Sequence, residues 1–118
     1  MEADLRAIEA NDIPDWPNWS AGDASNELQW FTLTIGPPGD AGSDLFQVVV
    51  ATPIGIRQRK EKGKFMGLVV DRFEPRLVET AIRDFVASCK ALTWSGVVDL
   101  LRTRMRWEYE GLHRGSEP

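Results

Sequence analysis

Residues 28–35, LQWFTLTI, alternate with a period of two. Phe31, Leu33 and Ile35 fall on one side, Trp30, Thr32 and Thr34 on the other. β-Branched and aromatic residues at that period predict a strand. Residues 45–51, LFQVVVA, resume the pattern with Phe46, Val48 and Val50 on one face. The turn-rich link GPPGDAGSD between them predicts an antiparallel pair. A third strong strand is expected over 65–71, FMGLVVD, and a weaker first one over 3–9, ADLRAIE. At Glu74-Pro75 the period changes. Leu77, Val78, Ala81, Ile82, Phe85, Val86 and Cys89 form a broad apolar stripe along 76–89, which is an amphipathic helix. Proline suits its first turn, and an acid there suits the helix dipole. Arg76, Glu79, Arg83 and Asp84 take its outer face. Thr93 reads as the N-cap of a second helix that buries Val97, Val98, Leu101 and Met105. Arg102, Arg104 and Arg106 gather near its end, and 106–110, RWEYE, alternates again as a short last strand on the sheet edge.

Strand runs separated from helix runs predict an α+β fold: a mainly antiparallel sheet of about four to five strands with two main helices packed on one face. Helices over Phe31, Leu33 and Ile35 would leave Trp30, Thr32 and Thr34 on the free face. At 118 residues and 42% hydrophobic content, 1–118 is expected to be one globular domain. Its parts are an acidic strand and loop over 1–27, a core over 28–110 and a fraying tail over 111–118. The loop 11–27 carries Pro14 and Pro17, which deny amide donors and bar regular structure.

Charge changes the picture because it is uneven. Residues 1–50 hold nine acids and one base, Arg6, a balance of −8. Residues 51–118 hold thirteen bases and nine acids, a balance of +4. Asymmetry of this kind points to charged partners rather than to a fold. One cysteine, Cys89, permits no internal disulfide and suits a reducing compartment. The start MEADLRAIEAND lacks the apolar segment of a secretory signal, and no apolar run is long enough for a membrane span. The expectation is a cytoplasmic protein with no membrane partner. Oligomeric state is not legible.

The search for chemistry returns little. His113 is the single histidine, lies in the tail and has no triad partner in view. Cys89 falls on an apolar helix face, where a structural thiol is expected rather than a nucleophile. Asp12, Asp15 and Asp23 lack the spacing of a calcium loop, and GPPGDAG lacks the Lys-Ser/Thr ending of a phosphate loop. No metal, cofactor or catalytic residue is assigned, and no enzyme activity is expected. A small hydrolase with a carboxylate site stays as an alternative. The basic segment 57–64 (Arg57, Arg59, Lys60, Lys62, Lys64) reads as a short helical turn ending at Gly63 or as a loop. It supports a second alternative, a nucleic-acid-binding or regulatory module. The acidic whole, with a pI near 5.0, argues instead for a solvated loop.

The order of certain segments carries a resemblance. Thr52-Pro53 ends a valine-rich strand, Phe85 to Cys89 reads FVASC, Thr93-Trp94 joins the helices, and Trp107-Glu108-Tyr109 closes the core. Over about 28–110 the chain resembles the immunity protein 8 family, found beside bacterial polymorphic and contact-dependent toxins. The loop to Glu27 and the segment 57–64 show least likeness. The resemblance implies a single-domain inhibitor that binds a cognate toxin domain in the producing cell.

A toxin domain that attacks nucleic acid needs a basic cleft, and an acidic inhibitor would be steered to it. Asp12, Asp15, Asp23 and Glu27, with Asp40 and Asp44 on the next connection, are the expected contacts with such a nuclease. Trp16 and Trp19 lie among them and are expected either to anchor the interface or to fold back on the sheet as a lid.

Overall fold

A computed structural model describes residues 1–59 and 65–110. The elements follow in order as strand β1 (Asp4–Ala10), strand β2 (Leu28–Gly36), strand β3 (Asp44–Ala51), helix α1 (Pro53–Gln58), strand β4 (Leu68–Val69), helix α2 (Pro75–Ser88), helix α3 (Trp94–Leu101) and strand β5 (Arg106–Trp107). A 3-10 turn, Trp16–Asn18, interrupts the loop after β1.

The alternation in β2 sets the register of the sheet. Phe31 pairs with Val48 and Leu33 with Phe46 across the antiparallel β2–β3 ladder, so the apolar side chains of both strands share one face. β1 runs antiparallel to β2 and adds Ile8 opposite Leu33 and Leu5 opposite Ile35. The register shifts between Leu5 and Ala7, so Arg6 marks an irregularity in this strand. The strand order is β1-β2-β3-β4, with β5 also paired to β3.

Val78, Ile82 and Val86 of α2, with Val97, Val98 and Leu101 of α3, join Phe31, Leu33, Phe46 and Val48 in one core. Each large apolar side chain buried there contributes roughly 1.5–3 kcal/mol. α2 has Pro75 in its first turn, and Thr93 caps α3 by accepting the Gly96 amide at 3.1 Å. The expected α+β fold, with α2 and α3 on one face and Trp30, Thr32 and Thr34 on the other, is the fold observed.

Three local expectations change. The strand expected over 65–71 is only Leu68–Val69, and it pairs parallel to β3 through Val50 and Ala51. Gly67 explains the late start. A Cβ there would lie 2.3 Å from the Val49 carbonyl oxygen, so the incoming chain crosses β3 at van der Waals contact before it can pair. α1 starts at Pro53, ahead of the helical turn or loop expected over 57–64, and overlaps it only at 57–58. Thr52 Oγ1 accepts the Gly55 amide at 3.1 Å and Pro53 fills the first turn, so Thr52-Pro53 is a helix start. The last strand is two residues long rather than five. Trp107 faces the core opposite Phe46, while Tyr109 is 41% exposed beyond the ladder. Of the basic segment, Arg57 and Arg59 are described, and Lys60, Lys62, Lys64 and the helical turn at Gly63 lie outside the described residues, as does His113.

Candidate partner-binding surface

The loop 11–27 is built around an inward tryptophan. Trp16 is 4% exposed and packs edge-on against Phe31 of β2, with ring centroids 4.9 Å apart. Its indole N–H donates to Glu79 Oε2 of α2 at 3.2 Å. Trp19 is half-buried and meets Phe73 edge-on at 5.9 Å. The loop is therefore a lid on the helix side of the sheet. Of the two readings of Trp16, the lid is the one the structure shows, and its buried ring offers no anchor to a partner. Glu79, assigned to the outer face of α2, turns out to face this loop. The 3.6 period sets it next to Val78 and one turn before Ile82, at the margin of the apolar stripe, which was the available signal.

The locked tryptophan leaves the loop's acids outside. Asp12, Asp15 and Asp23 are exposed. Asp15 Oδ1 accepts from the Asn18 side chain at 3.1 Å. Asp23 Oδ1 accepts the Ser25 hydroxyl at 2.7 Å and the Ser25 amide at 3.0 Å. Those two bonds hold its carboxyl below the ordinary aspartate range, with a smaller contribution from Arg72. Among the described residues no ion pair reaches any of these three acids.

Glu27 differs. It is half-buried at the start of β2, where its carboxylate accepts the Leu28 amide and the Gln29 side chain at 3.1 Å each and lies 3.8 Å from Arg59. Arg59 also donates to Asn26 Oδ1 at 2.7 Å, so the end of α1 is tied to the end of the acidic loop. Glu27 serves the fold more than the surface.

Asp40 lies on the connection at the other end of β2 and Asp44 opens β3 there, about 26 Å of strand away. Arg6, the lone base of the first fifty residues, shapes that connection. Its guanidinium donates to the backbone carbonyls of Pro37 at 2.8 Å, Gly42 at 2.9 Å, Ala41 at 3.3 Å and also Asp40. Asp40 Oδ1 accepts the Gly42 amide at 2.8 Å, and Asp44 Oδ2 accepts the Trp107 indole N–H at 3.1 Å. Of the eight residues picked from sequence, Asp12, Asp15 and Asp23 stand exposed on the lid, Trp16, Trp19 and Glu27 are turned into the fold, and Asp40 and Asp44 form a separate pair at the other end of β2.

The remaining chemistry is sparse. Cys89 is buried, donates to the Phe85 carbonyl at 3.3 Å, and burial pushes its thiol pKa up. Among the described residues no group of three or more His, Cys, Asp or Glu side chains could hold a metal ion, and no helix is long and apolar enough to cross a membrane.

No curated protein and no solved structure matched the chain. A family model did, described as Immunity protein 8, over residues 3–112. That span takes in β1 and the whole acidic loop, where the sequence had shown least likeness. With nearly all of its length matched, the chain belongs to the Immunity protein 8 family.

Proposed function

We propose that this immunity protein binds the toxin domain encoded beside it and neutralises it by covering its working surface, with the lid aspartates as the first contact. The observation that carries the reading is the arrangement at the lid. Trp16 locks the loop to the core, and Asp12, Asp15 and Asp23 stand out from it without ion-pair partners among the described residues. Fixed, unneutralised carboxylates on a −8 half of the chain attract a basic cleft and compete with phosphate for it. The partner that fits is a toxin domain with a nucleic-acid substrate, of the polymorphic or contact-dependent kind, met in the cytoplasm of the producing cell. A standard pair would cover about 800 Å² on each side.

The test uses Asp12, Asp15 and Asp23 changed together to Asn. Asparagine keeps the loop's acceptor oxygens and removes the charge. Glu27 is left alone, because its carboxylate closes hydrogen bonds of the fold. Binding to the purified toxin domain should weaken by at least tenfold while the melting temperature holds. Unchanged affinity would remove the lid from the interface.

A further inference from the structure

β1 is an open edge of the sheet. It pairs with β2 on one side, and among the described residues no strand pairs with the other. The opposite edge is taken: β4 holds β3 at Val50 and Ala51, β5 holds it at Phe46 and Gln47, and Gly67 crosses close to the Val49 carbonyl. The Asn11 amide donates to the Trp30 carbonyl at 3.0 Å, which sets the phase of the β1–β2 ladder. Glu9 and Thr32 therefore exchange bonds, while the Ile8 N–H and C=O and the Ala10 N–H turn outward. Burial follows the same line. Leu5, Ile8 and Ala10 are half-buried on the core face, whereas Ile35, Leu33 and Phe31 opposite them are fully buried. The edge carries backbone groups outside the ladder and apolar side chains covered from one side only.

We propose that an extended, basic segment of the toxin domain adds a strand to this edge, an inference that rests on the toxin-binding reading and specifies its contact. Main-chain bonds to Ile8 and Ala10 make the join, and alternate side chains choose the partner. Charge selects the occupant. Asp4 and Glu9 are exposed and share the face opposite to Leu5, Ile8 and Ala10, because the irregularity at Arg6 resets the alternation between them. Glu2 precedes them, and Asp12 and Asp15 carry the acidic line straight onto the lid. The two cations of this stretch are engaged. Arg6 donates to the Asp4 carboxylate at 3.1 Å and to carbonyls of the β2–β3 connection, and the Met1 ammonium donates to the Ala91 carbonyl at 2.7 Å. α2, which contacts β1, sets Arg76 and Arg83 against Glu79 and Asp84, with Arg83 4.0 Å from Glu79, and Lys90 follows it. One surplus base there does not balance five acids along 1–15. A second copy pairing antiparallel, in registers centred near Ala7 or Ile8, sets Asp4 against Glu9 or Asp12, like against like. The bulge and the acids thus guard the edge against a copy of itself. A strand with Lys or Arg at alternate positions and apolar residues between them passes that guard and completes the burial of Leu5, Ile8 and Ala10.

Amide hydrogen exchange of the full chain, alone and with the purified toxin domain encoded beside it, tests the proposal. In the free chain the Ile8 and Ala10 amides should exchange readily, while that of Glu9, inside the ladder, is slow. The toxin domain should slow Ile8 and Ala10 by at least tenfold. Ile8→Pro removes an outward N–H and no ladder bond, a change an edge strand tolerates. It should weaken binding at least tenfold beyond Ile8→Ala, which loses the side chain but keeps the amide. If circular dichroism shows Ile8→Pro unfolded, Ala10→Pro takes its place, and the exchange of the unaltered chain decides independently. Glu9→Lys should also weaken binding at least tenfold with an unchanged melt. Three results would each overturn the added strand: a complex in which Ile8 and Ala10 exchange as in the free chain, Ile8→Pro bound as tightly as Ile8→Ala, or Glu9→Lys bound as tightly as the unaltered chain. In each case a loss of affinity in the Asp12, Asp15 and Asp23 triple variant would leave the toxin-binding reading standing. Protection that appears when the chain alone is concentrated would put a second copy on the edge and overturn the proposal as well. No complex at all would overturn both readings.

Discussion

Trp16 donates its indole N–H to Glu79 Oε2 at 3.2 Å, closing a link between residues 63 positions apart in the chain. The bond joins the acidic loop to α2 and fixes the side of the molecule on which the loop's carboxylates stand. Removing the ring should be costly, because Trp16 also packs on Phe31, Phe73 and Trp19. We expect Trp16→Ala to lower stability by about 3–5 kcal/mol in urea titration. Glu79→Gln keeps an acceptor, and Glu79 is partly solvated, so it should cost less than about 1 kcal/mol. Equal losses in the two variants would show that the ring packing is not what holds the lid.

Arg6 holds the β2–β3 connection as Trp16 holds the lid. Four backbone carbonyls accept from one guanidinium, a geometry that the fork of Arg supplies and a lysine ammonium cannot. Arg6→Ala should cost about 2 kcal/mol and open 36–44 to limited proteolysis, and Arg6→Lys should recover less than half of the loss. A lysine variant as stable as wild type would contradict this role.

At the other end of the sheet Thr52 is fully buried and doubly used. Its hydroxyl oxygen accepts the Gly55 amide and the Glu27 amide, each at 3.1 Å. Thr52→Ala leaves both donors without that partner and should cost about 2–3 kcal/mol, whereas Thr52→Ser should cost under about 1 kcal/mol. Gly55→Ala tests the same contact sterically. The new methyl would lie 2.2 Å from the Glu27 carbonyl oxygen, so a loss of about 3 kcal/mol is expected by thermal melt.

Cys89 should behave as a packed thiol. Its raised pKa comes first from burial, which disfavours the thiolate that reacts. Labelling by a thiol reagent at pH 8 should be about a hundredfold slower in the native protein than in urea. Native labelling as fast as in urea would mean that the site opens freely.

The sheet and the two long helices were legible because their signals are local and periodic. Alternation in 28–35 fixes which face of β2 is buried, and Thr93 before Trp94 marks a cap. The start of α1 was overlooked although Thr52-Pro53 is a cap followed by a first-turn proline, because the valine run before it drew the reading toward strand. β4 was overread, since an apolar stretch cannot show that Gly67 must first cross β3 at close contact. The site divided in the same way. Composition exposed the acidic half. Only the fold could show that Trp16 points inward, that Glu27 is tied to Leu28, Gln29 and Arg59, and that Asp40 and Asp44 sit a strand's length from the lid.

The most direct test of the central claim, that lid carboxylates steer and seat a toxin domain, is the association rate constant between the purified pair measured across ionic strength. Unneutralised charge at the contact predicts a rate that falls steeply as salt rises, and a much flatter dependence once Asp12, Asp15 and Asp23 are Asn. At fixed salt the rate should also fall as pH drops through the carboxylate range. Asp23 should keep its charge below the ordinary aspartate range, because Ser25 holds its pKa down. A rate indifferent to salt in the unaltered protein, or an equally steep dependence in the triple variant, would contradict the account.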